Sequence, residues 1–430
     1  MRTFGNFNAR CFRHPAQQIT PWRASDFWQD RGSLLLVLAK PMQLTRPKIF
    51  FVERRERPEF SLESLLSGGA GVVNRSEWLA LAPHLGREVV VETDDLAVFD
   101  AVTPEQAVAQ DALAADFGSE RIARLVEAGL LIGDHAGHDV IRARDQALRE
   151  TAWWGPAAVA QAFGRWQGVD TAADATSEGD RNWKRMLEVH GSPPLETLEL
   201  RPRDTWLALP APAKTPLDDL LASRSTCRNF DPGFLLPLHD LSALLHRVFG
   251  AQATHAFAPG AVALKKNSPS GGGLHPIEAF VLVQRVEGLA PGLYHYHSTA
   301  HALEPMQVLS RDAMAPLAHE LVAGQAWFAD APVQVLLAAR FQRSYWKYRN
   351  NAKAWRVIQL DAGHLSQNLY LTATELGYGA FITGAINDDC AERLFEFDGL
   401  GTGAIAVCGF GKRASETVTI EFDPLGKAVR

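Results

Sequence analysis

Apolar residues recur at helical spacing from Ala352 to Leu376, where Trp355, Ile358, Ala362, Leu365, Leu369, Ala373 and Leu376 make one stripe. This is the longest helix expected in the chain, and Gly377 ends it. Ile122, Leu125, Val126 and Leu130 repeat the pattern within Glu120–Ile132, with Gly129 as the stop. Short unbroken apolar runs read as buried strands: Ile277–Val286, Ala331–Ala339 and Ala404–Gly411. Gly292–Tyr296 and His301–Met306 flank a turn, as paired strands do. Ser33–Leu38 and Lys48–Glu53 are two more strands. Trp153–Trp166, with Pro156 in its first turn, and Leu236–Gly250 are further helices. Ser61–Gly69 opens on an imperfect capping box, with Ser64 where Glu is usual.

Between Gly168 and Thr215 the periodicity fades and Asp, Ser, Gly and Pro accumulate, up to the proline-rich Leu209–Pro216. Thr215, Pro216 and Asp218 then start a helix with a capping-box pattern. A chain of 430 residues is too long for one ordinary core. The expected organisation is a mixed N-terminal region over 1–167, a linker or arm over 168–214, and a C-terminal domain over 215–430. In the first of these a helix runs into a strand near Ile132, in the manner of winged helix-turn-helix modules.

Composition narrows the class only a little. Hydrophobic content is 47% and charged content 21%, as in ordinary globular chains. The net charge of -6 provides no global basic field, so a nucleic-acid partner is not expected, although the first sixty residues are arginine-rich. Cys11, Cys227, Cys390 and Cys408 form no CxxC pair, which fits reduced thiols in a cytoplasm rather than a zinc site or disulfide framework. No apolar run approaches a membrane span, and the N-terminus lacks a signal peptide's apolar core, so neither a membrane partner nor export is expected.

Four stretches carry candidate chemistry. "SPSGGGLHP" (Ser268–Pro276) places three glycines before a strand, the wrong order for a dinucleotide fingerprint, and no P-loop pattern is present. Such a loop lets backbone N–H groups approach a flat or charged ligand, or is simply a flexible surface loop. "SRSTCRNF" sets Arg224 and Arg228 around Ser225 and Thr226, a pattern suited to a phosphate and its polyol, or to surface salt bridges. Lys412 and Arg413 follow a late strand and suit a phosphate too. Lys347 puts an ammonium beside the phenol of Tyr348, which favours the phenolate a general base needs. His364 and Asn368 lie one turn apart on the long helix, and either line a site or are polar groups at a helix interface. His295, His297 and His301 have no carboxylate at ligand-like spacing, and no metal site is expected.

The order of these stretches, "SRSTCRNF", "SPSGGGLHPIEAFVLV", the "GLYHY" hairpin, "RSYWKYRNNAKAWRVIQLDAGHLSQNLYL" and a basic Gly-rich turn, resembles the SagB-type dehydrogenases among the nitroreductase-like FMN flavoproteins. The resemblance covers about Pro216–Arg413 and is also close to a peptide-maturation dehydrogenase subgroup. It implies an α+β fold, an FMN-binding sheet flanked by helices, with a winged-helix-like N-terminal extension that grips a leader peptide or stabilises a dimer. It implies a homodimer with FMN at the subunit interface. Arg224, Ser225, Arg228, Lys412 and Arg413 would hold the phosphate and ribityl chain. Pro269, Ser270, Gly271 and Gly272 would lie along the isoalloxazine, with Asn368 reaching it from the long helix. Lys347 and Tyr348 match the family's catalytic pair, which serves the oxidation of azolines to azoles in ribosomally made peptides. Arg343, Arg349 and Arg356 surround that pair and suit a peptide's acidic or carbonyl groups. A precursor peptide and a cyclodehydratase or other modification enzymes would be the partners.

Cys227 and Asn229 depart from what the phosphate motif leads one to expect, and "GFGKR" is a loose terminal motif. Other readings therefore stand beside azole formation: oxidation of another peptide group such as a Cα–Cβ bond, NAD(P)H-dependent reduction of quinones or nitro compounds, and a non-catalytic peptide-binding scaffold.

Overall fold

The computed structural model describes residues 41–171 and 183–428, so the strand expected over Ser33–Leu38 lies outside the described residues. The N-terminal region holds β1 (Gln43–Thr45), β2 (Phe51–Phe60), α1 (Leu62–Leu66), β3 (Val72–Ala82), β4 (Arg87–Val91), α2 (Asp95–Ala101), β5 (Val108–Ala109), α3 (Gln110–Phe117), α4 (Ser119–Ala128), β6 (Ile132–Gly133), α5 (Asp139–Thr151) and α6 (Gly155–Phe163). Two small antiparallel sheets, β5-β1-β6 and β2-β3-β4, form here. Gly129 caps α4 in the left-handed conformation, where its missing side chain removes the steric penalty. Ser61 caps α1 by accepting from the Ser64 N–H, so the imperfect box still supplies its first bond.

The span expected to be a linker contains a helix, α7 (Trp183–His190), before an exposed stretch reaches α8 (Pro216–Ser223). The Asp218 carboxylate accepts from both the backbone N–H and the hydroxyl of Thr215, closing the start of α8. Then follow α9 (Leu238–Phe249), β7 (Ala251–Ala258), β8 (Ala261–Lys266), β9 (Ile277–Val283), β10 (Gly292–His297), β11 (Ala302–Val308), α10 (Arg311–Leu321), α11 (Ala326–Ala329), β12 (Val333–Arg340), α12 (Phe341–Lys347), α13 (Ala352–Glu375), β13 (Gly379–Thr383), α14 (Asp388–Phe395) and β14 (Thr402–Gly411).

The main sheet has the order β11-β10-β9-β12-β14-β13, with antiparallel neighbours throughout. Its central strand β12 alternates between two cores. Val333, Val335, Leu337 and Ala339 face α9 and α13, while Leu336 and Ala338 face α10, α11 and α14. Both faces are covered, which is why β12 reads as an unbroken apolar run. The first of these cores also takes in Leu148, Trp153, Ala157 and Ala158, so α5 and α6 share a core with the main sheet.

Candidate active site

Helix α13 organises the site. Its buried residues include Ala354, Ile358, Ala362, Leu365, Leu369 and Ala373, and among the polar ones buried with them are Asp361 and Tyr370. These two each meet one of the sequence motifs. Asp361 accepts from the Ser270 hydroxyl at 2.5 Å and from the Gly271 N–H at 3.0 Å. Tyr370 pairs with the Thr226 hydroxyl at 3.1 Å, and the Arg224 guanidinium lies over its ring. One rigid helix therefore spaces the glycine loop from the arginine motif by about 13 Å of axial rise.

The glycine loop is held from several sides. Ser270 also accepts the His275 N–H at 2.8 Å, and His275 takes a positive φ of 46°. Burial, aided by Lys266, lowers the His275 imidazole to about 4, so it stays neutral near pH 7. The Pro269 carbonyl accepts from His364, and the Ser268 hydroxyl accepts from Asn368 at 2.7 Å. Arg343 donates to the Leu274 carbonyl. Burial raises the Asp361 carboxyl, while its two donors pull the other way.

The glycines make room chiefly for other parts of this chain. A Cβ on Gly271 would come within 2.4 Å of the Val357 Cβ. A Cβ on Gly272, at φ +68°, would come within 2.6 Å of the Tyr348 hydroxyl and 2.9 Å of the Lys347 ammonium. Only Gly273 of the three has nothing within 4 Å of such an atom. Lys347 ends α12, donates to the Gly272 carbonyl at 3.3 Å and lies over the Tyr348 ring. The Lys–Tyr pair and the glycine loop thus meet at one backbone position. A groove of about 800 Å³ opens beside it, lined by Phe257, Val262, Gly273, Arg343, Trp346 and Lys347 among others.

At the other end of the site, Arg413 is buried and donates to the Ser225 carbonyl at 3.0 Å and to its hydroxyl at 2.8 Å. Cys227 points inward, and Gly379 lacks the Cβ that would strike both its sulfur and Arg413. Burial pushes the Cys227 thiol up to about 12, which leaves it unreactive. Lys412 points the other way along the strand end, 56% exposed and 3.4 Å from Asp231. The anion preference of this corner is visible in a carboxylate it already holds. Glu421 accepts from the Arg228 and Asn229 N–H groups at 2.5 and 3.0 Å, and from Arg413. The donor set therefore fits a phosphate-bearing group.

Two residues that organise the site, Asp361 and Glu421, were not legible as such. A carboxylate within an apolar helical stripe was a usable signal for Asp361; nothing local marks Glu421. The three histidines disperse: His295 lies beside Glu278 and Glu304, His301 bonds Ser242 and Tyr296, and His297 bonds its own turn. Among the described residues no cluster of His, Cys, Asp and Glu suits a metal ion, and no helix is long and apolar enough to cross a membrane.

Sheet, helices and site together make an α+β scaffold with the Arg413–Glu421 cluster at one end of the site and the Lys347–Tyr348 pair at the other. The chain belongs to the nitroreductase family, whose pattern matches residues 221–412. It is 30% identical over 186 residues to the MJ1384 protein of Methanocaldococcus jannaschii, whose name assigns it to the nitroreductases; the match covers 43% of this chain and 85% of that protein. It is 31% identical over 136 residues to the trifolitoxin-processing protein TfxB of Rhizobium leguminosarum bv. trifolii, covering 31% of this chain and 36% of TfxB. It is 27% identical over 180 residues to the microcin B17-processing protein McbC of Escherichia coli, covering 40% of this chain and 64% of McbC. The expectation of a nitroreductase-like fold among peptide-processing relatives is borne out. The family is one of flavin-binding oxidoreductases.

Proposed function

We propose that this chain is an FMN-dependent dehydrogenase that matures a ribosomally made peptide, oxidising an azoline ring to an azole. The observation that carries the reading is the convergence of Lys347 and Tyr348 on the Gly272 backbone. Bound FMN supplies a two-electron hydride acceptor. The chain's own residues supply the rest. Arg224, Ser225, Arg228 and Arg413 hold the phosphate end, with Lys412 at the rim. Pro269, Ser270, Gly271 and Gly272 border the ring, braced by Asp361 and by Asn368 through Ser268.

Aromatising an azoline removes two hydrogens, one as hydride and one as a proton. The proton would pass to Tyr348 Oη as a phenolate, with the neighbouring Lys347 ammonium holding that negative charge and taking no proton itself. The groove beside them, with Trp346 and Phe257 as apolar walls and Arg343 as a cation, suits an extended peptide segment. The names of TfxB and McbC, both peptide-processing proteins, support a peptide substrate. A homodimer, cytoplasmic location and partnership with other modifying enzymes complete the proposal. So does a peptide-gripping or dimer-stabilising role for the N-terminal region.

The test is spectroscopic and kinetic. Purified protein is expected to be yellow with bound FMN. Lys347→Ala and Tyr348→Phe are expected to retain the flavin spectrum while peptide turnover is lost. If both variants oxidise the peptide at the wild-type rate, the pair is not the base. A colourless protein that cannot be reconstituted with FMN removes the dehydrogenase reading.

A further inference from the structure

Asn229 was an unexpected residue inside the phosphate motif, and its side chain is fully used. Its Oδ1 accepts the N–H groups of Val418 and Thr419, both at 2.8 Å. Its Nδ2 donates to the Thr419 carbonyl at 2.7 Å and to Glu421 at 3.0 Å. Those four bonds are all that an amide side chain can make. Its backbone carbonyl adds a fifth contact, from the Ala414 N–H. Asn229 therefore hangs the segment after β14 across the phosphate motif, and Glu421 is the group that this delivers.

The segment has little else to hold it. Val418, Ile420 and Phe422 are 89%, 88% and 81% exposed. Its attachment consists of hydrogen bonds and one ion pair rather than buried apolar surface, the type of contact that opens locally at low cost. Glu421 itself is different. Its side chain is only 10% exposed, and its carboxylate takes two backbone donors and the Arg413 guanidinium. A phosphate prefers that same donor set. Further donors are spare at this corner. Arg413 Nε is buried without a partner, and the Arg228 guanidinium has no hydrogen-bond or ion-pair partner among the described residues.

We propose that Glu421 is an intramolecular occupant of the phosphate site, and that a phosphate-bearing cofactor binds by displacing its carboxylate and releasing Ala414–Glu421 from Asn229. The proposal rests on the FMN reading above. Two anions on one guanidinium repel, so carboxylate and phosphate exclude each other there. A phosphate also gains the spare donors that the carboxylate leaves unused. Glu421 then lowers the affinity for phosphate-bearing ligands by competition and leaves phosphate-free ones unaffected.

The test is a fluorescence titration of deflavinated full-length protein with FMN and, separately, with riboflavin, which lacks the phosphate. Glu421→Gln keeps the size and removes the charge; Asn229→Ala removes the anchor and serves as an independent second variant. Both are expected to tighten FMN binding by about tenfold, the loss of one charge-assisted competitor, and to leave riboflavin binding unchanged. Unchanged or weaker FMN binding in the two variants overturns the proposal and makes Glu421 a positioning residue for Arg413. Equal gains for FMN and riboflavin overturn it as well, since the phosphate would then be irrelevant. If the wild type and both variants bind no FMN, the cofactor reading itself fails and takes the proposal with it.

Discussion

Asp361 and Tyr370 are both buried on α13, about two and a half turns apart and so on opposite sides of the helix, and each holds one half of the site. The helix thus acts as a ruler: its rigidity fixes the distance between the glycine loop and the arginine motif, which lie far apart in sequence.

Asp361 is 3% exposed, and its two donors have no other acceptor shown. Asp361→Ala takes the acceptor from a half-buried hydroxyl and a half-buried N–H, at a cost of about 1–3 kcal/mol. Asp361→Asn keeps an acceptor for Gly271 and is expected to cost less than half as much. Urea unfolding of the two variants checks the order. An alanine variant as stable as wild type would mean that the loop is not anchored through this carboxylate.

Gly272 separates stability from activity. Adding a methyl in Gly272→Ala costs roughly 1 kcal/mol for the left-handed backbone. It also forces Tyr348 and Lys347 from their positions, since the new atom falls within 2.6 and 2.9 Å of them. The expected outcome is a small drop in melting temperature with a loss of turnover of tenfold or more. Turnover that falls only in step with stability would show that the pair tolerates displacement.

Much of this fold was legible because its strongest signals are local. The stripe of α13 and the apolar runs of β9, β12 and β14 come from burial on one or both faces, and burial writes a period into the sequence. The hairpin β7–β8 carries no such imprint, because all of β7 after Ala251 is exposed. Strand β13 has only five residues directly after a long helix, too few to show a period. The site was legible as a set of motifs in order, but not as contacts. Gly271 facing Val357 and Glu421 facing Arg228 are relationships across the fold, and no spacing rule reaches them.

Trp153 ties the N-terminal region to the element that carries Lys347. Its ring packs against Phe341 and Tyr345 of α12 at centroid distances of 4.6 and 4.7 Å, and its Nε1 donates to the Leu400 carbonyl at 2.9 Å. Trp153→Ala removes a buried ring and leaves that carbonyl without its partner, so a loss of about 3–5 kcal/mol is expected. Trp153→Phe retains most of the packing and should cost clearly less. A loss below about 1 kcal/mol for the alanine variant, measured by denaturant titration, would contradict this central packing role.

Glu392 gives the fold a pH dependence with a definite sign. Burial raises its carboxyl from an ordinary 4.5 to about 7, Asp388 and Asp398 push the same way, and Arg165 and Arg144 oppose them. A carboxyl whose folded value lies above its unfolded value binds its proton more tightly in the native state. Its contribution to stability is therefore complete below pH 4.5 and is lost as pH rises towards 7. The loss amounts to at most roughly 3 kcal/mol at 1.4 kcal/mol per unit. Glu392→Gln cannot titrate, so the wild type minus variant difference in unfolding free energy should decline across that window and level off above it. A difference that is flat with pH, or that grows as pH rises, would mean that the Arg165 pairing outweighs burial and that Glu392 is charged throughout.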